Sequence, residues 1–202
     1  MTTSDDVARE YLELADLLEE APASLWDAPS LCAGWRTREV VAHMTMPARL
    51  TESEFMTELQ AAGGDFTKLS NTIAVRDGAL APTALLAALR SPTLHHWEPP
   101  GGTREGALVH AVIHGLDITE ATGLDRRVPA ETVTRVLTLV GTGHIFGVDL
   151  DGVELRATDL DWSQGSGRLL TGTAQVLALL ACGRRVPTGK LNGDASARFV
   201  QP

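Results

Sequence analysis

Aromatic side chains make up only 4% of this 202-residue sequence, lysine occurs only at Lys68 and Lys190, and cysteine only at Cys32 and Cys182. Two cysteines so far apart match neither a CxxC pair nor a zinc-ribbon spacing, which argues against a disulfide framework and for reduced thiols. No run reaches the ~18 apolar residues that a bilayer crossing requires. The start, MTTSDDVAREYLELADLLEE, is acidic where a secretory signal is basic and then apolar. The expectation is therefore a cytoplasmic chain without a membrane partner. Cationic charge is also short. Seventeen Lys and Arg face 26 Asp and Glu, and the net charge of -9 repels a phosphate backbone, so nucleic acid is not the expected partner. What the chain does have is 44% hydrophobic residues against 21% charged ones, enough for a packed core and too apolar for a disordered or low-complexity chain.

Helical periodicity dominates the first two thirds. Val7, Tyr11, Leu14, Leu17 and Leu18 follow the possible cap Ser4, with Asp5 and Asp6 suited to the positive end of a first helix. A second helix is predicted from Thr37 to Gly63 and Gly64, kinked at Pro47, with Val40, His43 and Met44 on one side. A third, interrupted by Gly78 and Pro82, spans about 66–89. Thr103 caps a fourth that Gly123 closes, and Pro129 to Gly141 forms a fifth. Four or five helices with intermediate connections predict an antiparallel bundle. After Gly147 the pattern changes: DGVELRATDLDW alternates like a strand, SQGSG reads as a turn, TGTAQVLALLACG as a compact helix and GKLNGDASARF as a last strand or extended edge. The predicted organisation is thus a helical domain at 1–146 and a small α/β domain at 147–202.

His110 and His114 stand four apart on the fourth helix, so their side chains share one face and could grip one ion. Chance gives about 0.17 such pairs in a chain with six histidines, so the spacing alone is weak. Two ligands also leave zinc incomplete, and His43 on the second helix is the natural third, since facing helices of a bundle project inward to a shared point. Three protein ligands with an open position are the arrangement of a catalytic metal. Asp117, on the same face, is placed to orient an imidazole or to ligate, or else to be an ordinary solvated acid. Cys32 in SLCAGW could be a thiol nucleophile, although a structural cysteine is the simpler reading. His95 and His96 read as a polar helix end, and His144 lies in a flexible stretch. Trp26, Trp35 and Trp162 read as packing anchors. Asp159 and Asp161 resemble a paired-acid motif, but aspartates near turns are common. No Walker loop, GxGxxG, GxSxG or HExxH occurs.

The segments SLCAGWRTREVVAHM, LVHAVIHGLDIT and LRATDLDWSQGSGRLLTGTAQVLALLACGRR together resemble the mycothiol-dependent maleylpyruvate isomerase family, whose amino-terminal domain is a DinB-like metal-binding bundle. The resemblance implies a mainly α chain: a DinB-like four-helix bundle followed by a small α/β domain. It also implies a divalent metal, usually zinc, on His43, His110 and His114. Mycothiol would be the thiol cosubstrate, its thiolate favoured by the metal and added to a small electrophile. The maleylpyruvate isomerases carry glutamate where this chain has His110, so the trio is more like that of the wider superfamily. The implied activity is a zinc-dependent thiol S-transferase or isomerase. A non-catalytic metal- or ligand-binding bundle and a metal hydrolase remain alternatives, and the oligomeric state, a dimer included, stays open.

Overall fold

A computed structural model describes residues 2–201. The chain is mainly helical with one small three-stranded sheet, and it divides into two compact units after Ile118. The change of character at Gly147, which sets the predicted domains 1–146 and 147–202, falls inside the second unit.

The first unit opens with α1 (Thr3–Glu20). Its cap is Thr2, not Ser4: the Thr2 side chain accepts from Asp5 N and Asp5 answers on Thr2 N, a reciprocal capping box. Val7, Tyr11, Leu14 and Leu18 lie at most 1% exposed along one stripe. Each such burial contributes ~1.5–3 kcal/mol, which fixes the face the helix turns inward.

The single kinked helix predicted from Thr37 is instead three: α2 (Thr37–Met44), α3 (Met46–Arg49) and α4 (Glu52–Ala61). Pro47 begins a helix here; it occupies the first turn of α3, where its missing N–H costs nothing. The second break has its own local signal, since Thr51 and Glu54 form a capping box that starts α4. The broken third segment resolves into α5 (Phe66–Asp77), capped by Asp65, and α6 (Pro82–Leu89). A short α7 (Pro92–His96) follows, ending on the two adjacent histidines. α1 packs on α6 and α7, and α2 packs on α5 and α6. α2 is buried from Thr37 to Met44 with only Arg38 half-exposed, so the helix that carries His43 is an interior element.

The long α8 (Arg104–Thr122) starts where the sequence predicts, with Thr103 Oγ1 accepting from Gly106 N. It ends at Gly123, whose φ of 74° is the left-handed conformation that glycine adopts without strain.

In the second unit, α9 (Ala130–Val140) packs on α10 (Ala174–Ala181), and α10 packs on β1 (Val153–Ala157) and β3 (Arg168–Gly172). α10 is apolar on nearly every side, as a helix buried between a helix and a sheet must be. β1 is central, parallel to β3 and antiparallel to β2 (Ser163–Gly165), and buries alternate residues Val153, Leu155 and Ala157. SQGSG, read as a turn, therefore contributes a strand. The expected last strand reduces to isolated bridges, Thr171 to Asn192 and, just past its end, Val186 to Val200, with a short 3-10 turn at Ser196–Arg198 between them. Asp159 and Asp161 lie beyond the end of β1, and Asp159 accepts from Ala174 N at 2.8 Å at the start of α10, a capping role. Among the described residues no helix is long and apolar enough to cross a membrane.

Candidate metal centre

The one-turn spacing on α8 brings the rings of His110 and His114 to 4.7 Å between centroids. His43 arrives from α2, its ring 5.1 Å from that of His110 and 4.7 Å from that of His114. One ring nitrogen of each lies within 4.8 Å of the others, and the Nε2 atoms of His43 and His110 are 3.1 Å apart. Two imidazole nitrogens at ~2.0–2.1 Å from one tetrahedral zinc stand about 3.3 Å apart, so this donor set fits such an ion with little adjustment.

The remaining nitrogen of each ring has its own partner. Ser70 Oγ on α5 lies 2.9 Å from His43 Nδ1, Tyr11 Oη on α1 lies 3.2 Å from His110 Nδ1, and Asp117 Oδ2 lies 3.0 Å from His114 Nδ1. A carboxylate only accepts, so His114 Nδ1 carries the proton and its Nε2 presents the lone pair. Burial raises the Tyr11 hydroxyl well above the ordinary phenol value, so it stays protonated at neutral pH. Each ring is thus held in orientation from behind, the support that metal-bound histidines generally receive. Trp35 lies tilted against His43 with ring centroids 5.1 Å apart, its indole N–H donated to Asn71, and Trp97 stands 5.0 Å from His110.

Cys32 also comes to this place. Its Sγ donates to Asp117 Oδ2 at 2.9 Å and lies 3.7 Å from His114 Nδ1, behind that ring. Asp117, fully buried, therefore gathers the backs of His114 and Cys32, while its backbone carbonyl accepts from Leu31 N. Replacing Asp117 by asparagine is expected to weaken divalent-metal affinity about 10- to 100-fold, because an amide can turn its NH2 toward Nδ1 and unsettle the tautomer. Competition with a metal-binding dye checks this, and unchanged affinity would count against the orienting role.

The other sequence candidates lie elsewhere. His95 and His96 end α7, where burial and the neighbouring His96 lower the pKa of His95, and His144 is exposed on a 3-10 turn. Trp26 is a packing anchor at 3% exposure, as predicted. Tyr11 and Ser70 were missed: Tyr11 reads as one more core position of the α1 stripe, and Ser70 sits in a weak pattern. Neither has a local signal, since their partners are 99 and 27 residues away.

Residues 7–94 match the family model of the mycothiol maleylpyruvate isomerase N-terminal domain. The solved mycothiol-dependent maleylpyruvate isomerase is 14% identical, with a TM-score of 0.59 over 100% of this chain and 95% of that one. A mutant of that enzyme with one histidine replaced by alanine gives 0.60 at the same identity and coverage. At such low identity the likeness establishes the fold. No curated protein sequence matches the chain. The chain thus has the maleylpyruvate isomerase fold along its whole length, and its residues 7–94 match the mycothiol maleylpyruvate isomerase N-terminal domain model.

Proposed function

We propose that this protein is a zinc-dependent thiol S-transferase or isomerase that activates mycothiol, in the cytoplasm, for attack on a small electrophile. The observation that carries the reading is the convergence of three imidazoles whose Nδ1 atoms are all engaged from behind, which leaves Nε2 of His43 and of His110 facing each other at 3.1 Å beside His114. A divalent cation held by three neutral ligands supplies positive charge beside a fourth position, and that charge favours the ionised form of a thiol. His43, His110 and His114 are the holding residues. Ser70, Tyr11 and Asp117 keep their rings oriented, and Trp35 and Trp97 shield the rings with apolar surface, which strengthens electrostatic effects at the site.

The nucleophile comes from the cosubstrate. The protein's own nearby thiol, Cys32, is donated to Asp117 and faces the rear of His114. The similarity to mycothiol-dependent enzymes supports mycothiol as that cosubstrate.

A panel of activated alkenes, epoxides and haloarenes tested with and without mycothiol examines this directly. The expected result is a rate at least about 100-fold above mycothiol alone for some member, a factor within the reach of one positioned electrostatic effect. The acceleration is lost on chelation and regained with zinc. Turnover without any thiol would mark a hydrolase instead, and no acceleration with a metal-loaded protein would point to a non-catalytic bundle.

A further inference from the structure

A chain with only nine aromatic residues places three of them, Phe55, Phe66 and Trp97, around one cavity of 320 Å³ in the first unit. Met46 and Leu50 complete its apolar wall, and the rings of Phe55 and Phe66 lie 6.5 Å apart. Trp97 joins this cavity to the histidine trio, since the same indole stands 5.0 Å from the His110 ring. The cavity is roomy: about 150 Å³ suffices for a benzene ring, so this volume takes a ring and a short chain.

Its charges have one sign. Glu52 and Glu98 line it, and among the described residues no lysine, arginine or histidine does. The nearest cation on Glu98 is Arg104, 3.2 Å away and outside the lining. Arg49, on the neighbouring α3, is spoken for by Asp77. A carboxylate entering this space would lose water and meet like charge, whereas an uncharged ring would meet aromatic and aliphatic surface.

We infer that this cavity holds the apolar part of an uncharged, ring-bearing substrate and rejects dicarboxylates, of which maleylpyruvate is one. The inference rests on the reading of the histidine trio as the reaction centre and names the substrate class of that site. It departs from the acid in the name of the solved relatives.

Two saturated probes of nearly equal shape, 4-phenyl-2-butanone and 3-phenylpropanoate, test it by calorimetric titration into the full-length, metal-loaded protein, with maleate as a third probe. Neither of the first two carries an activated alkene, so neither undergoes conjugate addition of a thiol. The ketone is expected to bind about tenfold or more tightly than the acid, with maleate weakest, since each ~1.4 kcal/mol of preference is tenfold. Phe66→Ala, a change at a 46% exposed position that spares the core, weakens the ketone about tenfold and leaves metal content unchanged. Glu52→Gln improves the acid and narrows the gap. Equal or tighter binding of the acid or of maleate, or a ketone affinity that Phe66→Ala does not move, would overturn the inference. The titration uses no thiol, so its failure leaves the thiol-dependent reading intact, and failure of thiol-dependent turnover leaves the cavity's preference measurable.

Discussion

Replacing any one of His43, His110 and His114 by alanine is expected to take bound zinc from about one equivalent per chain to a small fraction. Structural zinc sites with four ligands bind with ~10–16 kcal/mol. A quarter of that per ligand is ~2.5–4 kcal/mol, or about 60- to 700-fold in affinity. The three variants need not be equal. His110 and His114 sit half-buried on one helix, so their loss leaves α8 intact, whereas His43 is 7% exposed on an interior helix and its removal also opens a cavity. Elemental analysis of protein purified without chelator, with circular dichroism as the check on folding, measures the effect. Full retention of metal by a folded His43→Ala protein would remove His43 from the site and leave the pair on α8 as an isolated helical coincidence.

The largest stability effect is expected at Asp77. It is 8% exposed at the end of α5 and accepts from Arg49 and, at 2.7 Å, from Arg76 Nε. Arg49 in turn donates to the Ala42 carbonyl of α2 and to Thr45 Oγ1 at 3.3 Å. One guanidinium therefore ties the helix that carries His43 to the helix that carries Ser70. Asp77→Ala leaves the half-buried Arg49 without its carboxylate, and since breaking a fully buried pair costs about 3–5 kcal/mol, a loss of about 2–3 kcal/mol is expected here, measurable by urea denaturation. A loss under about 1 kcal/mol would show that solvent reaches the pair, as at ordinary surface ion pairs. The same carboxyl gives a pH signature. Burial alone would raise its pKa, but hydrogen bonds from Arg76 and then Arg49 outweigh burial and hold it below the ordinary 3.8. A depressed folded pKa gives stability that is fully present above the unfolded value and is lost as pH falls through the folded one. Wild-type stability is therefore expected to fall below about pH 4, and Asp77→Ala to show a shallower fall.

The parts of this fold legible in the sequence are those governed by local chemistry. α8 announces itself through the Thr103 cap, its histidine spacing and Gly123, and β1 through alternation that the burial of Val153, Leu155 and Ala157 repeats. Where two local signals compete, the reading fails. Across 37–62 the helical period continues over both breaks: the first is marked only by Pro47 in the opening turn of α3, without a side-chain cap, and the second by the capping box that TESE spells out. The domain boundary is set by packing: α9 looks like one more bundle helix, yet its apolar stripe is buried on α10. The site divides the same way. His110 with His114 is readable at i and i+4, and His43 follows from bundle geometry. Asp117, three residues beyond His114, is readable as its partner in the same way, but Tyr11, Ser70 and Cys32 are not, because they meet their histidines or Asp117 only through tertiary packing, as in the 85 residues between Cys32 and Asp117.

Calorimetric titration of mycothiol into zinc-loaded and chelator-treated protein, repeated at pH 7 in buffers of different ionisation enthalpy, tests most directly whether the trio serves to activate a thiol. The expected result is binding by the loaded protein with release of about one proton, since the thiol ionises on binding, and much weaker binding without proton release by the stripped protein or by His114→Ala. Equal mycothiol affinity with and without metal, or binding that releases no proton, would contradict a thiol-activating metal centre on His43, His110 and His114.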